Sequence, residues 1–198
     1  MRLFFDTEFV EDGRTIDLIS IGMVREDGTE LYQINSDENV IGRAVLHPWL
    51  TVNVTPHLPL TVNREGAPIA SSLDGAYPPA LSWTWNTDHP DWPNVAPRSL
   101  IADRVRDFVL ATPDVELWAY FGGYDRVALN QLFGTMHDVP AGIPLWGCDL
   151  KQEAHRVGAQ ALPEQATDLH NALADARWCR DAYAYLADLP EAATPGPW

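Results

Sequence analysis

Leu3-Phe4-Phe5-Asp6-Thr7-Glu8-Phe9 is an apolar run broken at alternate positions by two carboxylates. Side chains in a strand alternate between faces, so Leu3, Phe5, Thr7 and Phe9 share one face and Phe4, Asp6 and Glu8 the other. A strand this apolar belongs inside a sheet, where an unpaired carboxylate is costly. Two acids on one buried face also repel, so a cation is expected beside them, and a divalent metal supplies most charge in least space. The local alternative is that Asp6 and Glu8 end an edge strand and face water. The choice turns on whether the chain supplies further acids in equally apolar settings.

Outward from this stretch, residues 16–24 (IDLISIGMV) and 30–35 (ELYQIN) read as two more strands. Asp12-Gly13 and Asp27-Gly28 are hairpin-type turn signals before and after the first of them. The three strands form an antiparallel meander. From Gly42 to Pro97 the periodicity fails: nine of the 16 prolines lie there, with Trp49, Trp83, Trp85 and Trp92. This predicts a loop-rich excursion whose aromatics pack on the core or a subunit contact, or else stack on a base.

Regular structure resumes after Pro97. Ser99 is the expected N-cap of a helix over 100–111, closed by Thr112-Pro113. Residues 116–121 read as a strand, Gly122-Gly123 as a turn, 124–133 as a helix, 145–148 as a strand, 149–157 as a helix and 171–186 as the last helix. The pattern predicts an α/β fold with a mixed five-stranded sheet, the meander plus parallel strands, flanked by helices. Parallel strands added beside the first would put its carboxyl end at a switch point, where such sheets place their sites.

Two of these helices carry misplaced acids. Asp125 shares the apolar stripe of Ala128, Leu129 and Leu132, at a helix N-terminus where a capping role is the alternative. Asp175 lines up with Cys179, Ala182 and Leu186, and lies too far inside its helix for a cap. His170 stands five residues earlier, roughly 140° round from Asp175 if helical, which places it on the entering loop, free to swing over the site. One metal site explains all four acids more simply than four separate reasons.

At 198 residues the chain suits one domain with a sizeable core, spanning 1–190 with the excursion at 42–97. Its net charge of −15 argues against a broad basic nucleic-acid surface and against anionic membranes. Two cysteines without metal-ligand spacing suit a reducing compartment. With no signal peptide and no apolar run near the ~20 residues of a membrane span, a cytoplasmic location is expected.

FDTEF (5–9), GGYDRVAL (122–129) and HNALADA (170–176) resemble the three motifs of the DEDDh exonucleases, a family of the ribonuclease H-like superfamily. His-x-Ala-x-x-Asp-Ala is the most specific of them. Order and spacing match across nearly the whole chain. The Pro/Trp-rich segment, WAYFGGYD and Asp149-Leu150 resemble a small-protein subgroup, the polyadenylate-specific 3′-exoribonucleases related to ribonuclease T. The resemblance implies a ribonuclease H-like fold and a 3′-to-5′ exoribonuclease releasing nucleoside 5′-monophosphates. Asp6, Glu8, Asp125 and Asp175 would hold two Mg²⁺ ions, with Mn²⁺ as a substitute, and His170 would be the general base. It further implies RNA 3′ ends as partner, a 3′-terminal adenosine preference with AMP as product, and a homodimer. Two ions about 3.5–4 Å apart can activate water and stabilise both attacking and leaving oxygens, and hard cations prefer such oxygen ligands.

The charge of −15 is reconciled by a short footprint, with Arg98, Arg126 and Arg177 available to hold one or two nucleotides. Glu8 is expected to accept from the terminal ribose, with Phe9 and the tryptophans of 42–97 as an apolar slot for the base and Arg126 as a further contact. A DNA proofreading exonuclease would share every motif and differ in sugar preference. An inactive RNA-binding module would normally lack one of the five residues. A phosphatase with an Asp nucleophile would want Asp-x-Asp and a later lysine, whereas position 8 is Glu and Lys151 is the sole lysine.

Overall fold

The first strand, β1 (Arg2–Glu11), stays apolar from Leu3 to Phe5 because the sheet is covered on both faces there. The structure, a computed structural model, describes residues 1–63 and 82–189. β2 (Ile16–Arg25) and β3 (Glu30–Asn35) pair with it as an antiparallel meander. The turns use Gly13 and Gly28 at positive φ, and Asp12 Oδ1 accepts the N–H groups of Arg14 and Thr15.

The segment expected to be loop-rich holds regular structure where it is described. Helix α1 (Glu38–Leu46) is capped by Asp37 and buries Val40, Ile41, Ala44 and Val45. Helix α2 (Leu50–Asn53) follows, then β4 (Leu60–Asn63) and β5 (Ser82–Trp85), which pair antiparallel as a separate ribbon. Trp83 and Trp85 pack against the core beneath α1, so these two follow the packing alternative. Residues 64–81 of the Pro/Trp-rich stretch lie outside the described residues. β6 (Val95–Ala96) joins the main sheet beside β3, making six strands where five were expected.

Helix α3 (Arg98–Leu110) starts from Pro97 with no side-chain cap, so Ser99 lies inside the helix rather than capping it. β7 (Glu116–Ala119) leads into α4 (Gly123–Gln131), and β8 (Cys148–Asp149) into α5 (Leu150–Arg156). β8 starts three residues later than expected, because Leu145 and Trp146 face solvent on a loop tied down by Arg126. The last helix, α6 (Ala172–Ala187), is capped by Asn171. The main sheet runs β6-β3-β2-β1-β7-β8, antiparallel within the meander and parallel at the other pairs.

Leu3 and Phe5 of β1 pack with α3 and α4 on one face. Phe4 packs with α5 and α6 on the other, and α1 covers β2 and β3 beside them. Two features position the site. β7 pairs with β1 only from Arg2 to Phe4, so the far half of β1 is open on that edge. And α6 crosses β2 at Gly22, where a Cβ would stand 2.3 Å from the carbonyl carbon and oxygen of Ala172 and 2.4 Å from Leu173 Cα.

Neither Ala172 nor Leu173 backbone can yield within a helix. Gly22→Ala should therefore cost about 2 kcal/mol or more and lower the melting temperature by roughly 4–8 °C. Gly42→Ala is the control: it lies in α1, its Cβ would meet only Trp83 Nε1 at 3.7 Å, and it should be neutral or slightly stabilising. Equal melting temperatures for the two variants would refute the close approach.

Candidate active site

Asp6 and Glu8 emerge from β1 on the face covered by α6, and Glu8 is buried with 8% of its surface exposed. Asp125, in the first turn of α4, reaches the open edge of β1. Its Oδ1 accepts both the backbone N–H of Thr7 at 2.9 Å and the Thr7 hydroxyl at 2.7 Å. Asp125 thus takes the ladder position that β7 leaves vacant, and buries itself there. Asp175 lies in the first turn of α6, nearer its start than the sequence suggested. Its Oδ2 accepts the His170 N–H at 3.0 Å and its Oδ1 accepts Gln165 Nε2 at 2.6 Å, so part of its setting is a helix-entry bond after all.

His170 sits on the loop before α6, as expected, but it is held rather than free. Its φ is +66, a left-handed conformation uncommon for a non-glycine residue, and its ring meets Trp49 edge-on at 4.7 Å between centroids. Asp168 and Phe121 are also left-handed, so the loops entering α6 and α4 both carry backbone strain of a kind that clusters at functional sites. Ligand atoms of Glu8, His170 and Asp175 lie within 4.8 Å of one another.

The electrostatics are those of an uncompensated anion cluster. Burial pushes the Asp6 carboxyl well above the usual range, and Asp125, Glu8 and Asp175 push it further. Glu8 is driven up by burial and then by Asp175 and Asp125. Burial also raises Asp125 and Asp175, against the hydrogen bonds from Thr7 to the first and from Gln165 and His170 to the second. Among the described residues no Lys or Arg forms an ion pair with any of the four. Four oxygen-donor side chains with no Lys or Arg ion pair fit a hard divalent cation.

A cavity of about 430 Å³ opens beside the acids. Asp6, His170 and Asp175 line it, together with Tyr120, Lys151 and Trp178. Phe9 and the tryptophans of 42–97 are not among its walls: Phe9 stacks on Tyr124 at 5.9 Å, and Trp49 meets the ring of His170. The three arginines expected near the substrate are held by protein groups. Arg126 donates to the carbonyls of Pro144 and Trp146, Arg98 donates to that of Gln131, and Arg177 pairs with Glu30. Sequence reasoning also missed Thr7 and Gln165. Thr7 had a signal, a hydroxyl in an apolar strand between two acids; Gln165 had none.

Four acids thus gather beside one mixed α/β sheet, two from its first strand and one each from α4 and α6. Exonuclease I has this fold: the chain superposes on it with a TM-score of 0.56 at 12% identity, over 94% of the chain and 40% of that structure. Escherichia coli exonuclease I in complex with a dT13 oligonucleotide gives 0.51 at 10% identity, over 94% and 41%. The chain thus spans about two fifths of either structure, and the likeness concerns the fold. No family model matches the chain. Two 3′-5′ exoribonucleases, from two strains of Mycobacterium tuberculosis, are each 36% identical to it over 181 residues, covering 89% of the chain and 88% of their own length. The chain belongs to this 3′-5′ exoribonuclease family.

Carboxyls pushed up in the fold keep protons that the unfolded chain gives up. Metal-free stability from this cluster therefore falls as pH rises above the ordinary carboxylate range. Asp6→Asn removes one of the repelling charges, and thermal melts in EDTA near neutral pH should show a midpoint about 2–4 °C higher than wild type, what ~1 kcal/mol yields in a domain this size. The gain should shrink as pH is lowered toward 4. A lower midpoint for the variant at neutral pH would show that the cluster is not repulsive.

Proposed function

We propose that the chain is a divalent-metal-dependent 3′-to-5′ exoribonuclease that removes nucleoside 5′-monophosphates from RNA 3′ ends. What carries the reading is the grouping of Glu8, His170 and Asp175 within 4.8 Å of one another, with Asp6 on the same strand face, Asp125 bonded to Thr7 between them, and no Lys or Arg ion pair on any of the four acids among the described residues. Asp6, Glu8, Asp125 and Asp175 are the side chains that would hold Mg²⁺ or Mn²⁺. When bound, such ions polarise the scissile phosphate and lower the pKa of a water.

The chain's own residues do the rest. His170 accepts the proton of the attacking water as oxygen adds to phosphorus. The bond to O3′ of the preceding nucleotide breaks and O3′ takes a proton from solvent, leaving a new 3′ hydroxyl and a free 5′-monophosphate. The φ of +66 and the N–H bond to Asp175 hold the His170 backbone beside the acids. Thr7 fixes Asp125, and Gln165 fixes Asp175. Glu8 accepts a hydrogen bond from the terminal ribose, and a site built to pair a hydroxyl rejects the analogue lacking it. This favours RNA over DNA. The preference for a 3′-terminal adenosine, giving AMP, rests on the motif resemblance. The homodimer rests on it too, and is supported by the exposure of Phe121, Tyr124, Leu145 and Trp146 around α4 and the loop it holds. Two free cysteines suit a cytoplasmic setting.

Purified protein, with a solution mass twice that of the chain, should shorten 3′-adenosine RNA faster than the other three 3′ bases and faster than the matching DNA. EDTA should stop the reaction and Mg²⁺ restore it, and Asp175→Asn should be inactive with an unchanged circular dichroism spectrum. Turnover persisting in EDTA would sink the metal reading. Equal rates on RNA and DNA would favour a proofreading-type enzyme instead.

His170→Ala should slow single-turnover hydrolysis by roughly two to four orders of magnitude. A variant rate within tenfold of wild type would reduce His170 to a helix-entry residue.

A further inference from the structure

Resting on the exoribonuclease reading, we infer that the cavity beside the acids receives the nucleotide upstream of the scissile bond, and that Lys151 binds that nucleotide's own 5′ phosphate. Lys151 is the sole lysine of a chain with net charge −15. It is exposed, it lines the cavity that Asp6, His170 and Asp175 also line, and among the described residues it is the one of permanent positive charge there. Its backbone N–H is taken by Asp149 Oδ1 at 2.8 Å, while among the described residues no hydrogen bond or ion pair holds its ammonium. A lysine that shares a cavity with acids yet is bonded to none is available to an anion from outside.

Chemistry decides which anion. The terminal nucleotide carries one phosphate, its own 5′ group, and that is the scissile one. With that phosphate taken by the acids and the cations they would hold, a lysine elsewhere on the cavity's lining meets the next phosphate, on the upstream side. Position along β1 agrees: Phe5 and Asp6 line the cavity, whereas Glu8, further along the strand and assigned to the terminal ribose, does not. The walls suit an upstream base as well. Trp178 is anchored by its indole N–H on the Pro163 carbonyl at 2.9 Å, and Tyr120 stands against it at 5.0 Å. These are fixed apolar surfaces, and stacking on them tolerates any base. With Arg98, Arg126 and Arg177 held elsewhere, this single contact would set the footprint at two nucleotides.

The test compares two RNA dinucleotides in Mg²⁺: ApA, whose one phosphate is scissile, and pApA, which carries a second at its 5′ end. Wild type should have a KM about tenfold lower for pApA than for ApA, the worth of one charge-assisted contact. In Lys151→Gln that ratio should fall to about one, and Lys151→Arg should restore most of it. A ratio in Lys151→Gln equal to wild type, whether or not both reactions slow, overturns the inference and leaves the exoribonuclease reading standing. A wild-type ratio of one does the same. Hydrolysis of neither dinucleotide by wild type, with longer RNA also intact, overturns that reading and the inference with it.

Discussion

The missing side chain at Gly22 governs how the site is assembled. It lets the first turn of α6 come down on β2, directly beside the strand that carries Asp6 and Glu8, and Gly22 is itself the β2 partner of Asp6. Asp175 and His170 ride on that turn and on the loop entering it. Without the close approach the acids of β1 would face an apolar helix or water. With it they face another acid, at a separation where burial and repulsion both oppose ionisation.

The fold then stabilises that arrangement with neutral donors. Thr7 bonds Asp125 through its backbone and its hydroxyl, and Gln165 and the His170 N–H bond Asp175. Each bond favours the ionised carboxylate against burial without neutralising it. A lysine or arginine in the same places would have made a self-contained salt bridge. Neutral donors instead orient the oxygens and leave their charge available to a cation from solution. The inter-strand opening that admits Asp125 is part of the same design, because β7 stops pairing with β1 after Phe4.

The same economy of cations bears on how an acidic protein of this family handles a polyanion. Counterion release along a broad basic face is closed to a chain with 28 acids against 13 basic side chains. Arg2, Arg43, Arg106, Arg156, Arg177 and Arg180 are paired with carboxylates, and Arg98, Arg25 and Arg126 are bonded to carbonyls. A short footprint at the end of a strand, as proposed above, is compatible with so few uncommitted cations.

The sequence by itself determined the meander, through period-two alternation closed by Asp-Gly turns, and it determined which acids were out of place, because a carboxylate on a 3.6-residue apolar stripe is a local signal. Helix α1 also carries local signals, Asp37 as cap and Val40, Ile41, Ala44 and Val45 on one face, but the prolines from Pro48 onward mask them. What only the tertiary structure decided are the contacts made across long stretches of chain. Among them are the seat of α6 on Gly22, the bond from Thr7 to Asp125, and Trp49 against His170. So are the commitment of the three arginines and the meeting of Tyr120, Lys151 and Trp178 around one cavity. Such contacts join residues tens of positions apart, each of which is ordinary in its own neighbourhood. Local periodicity reports which face of an element is buried; it holds no information on which other element will cover that face.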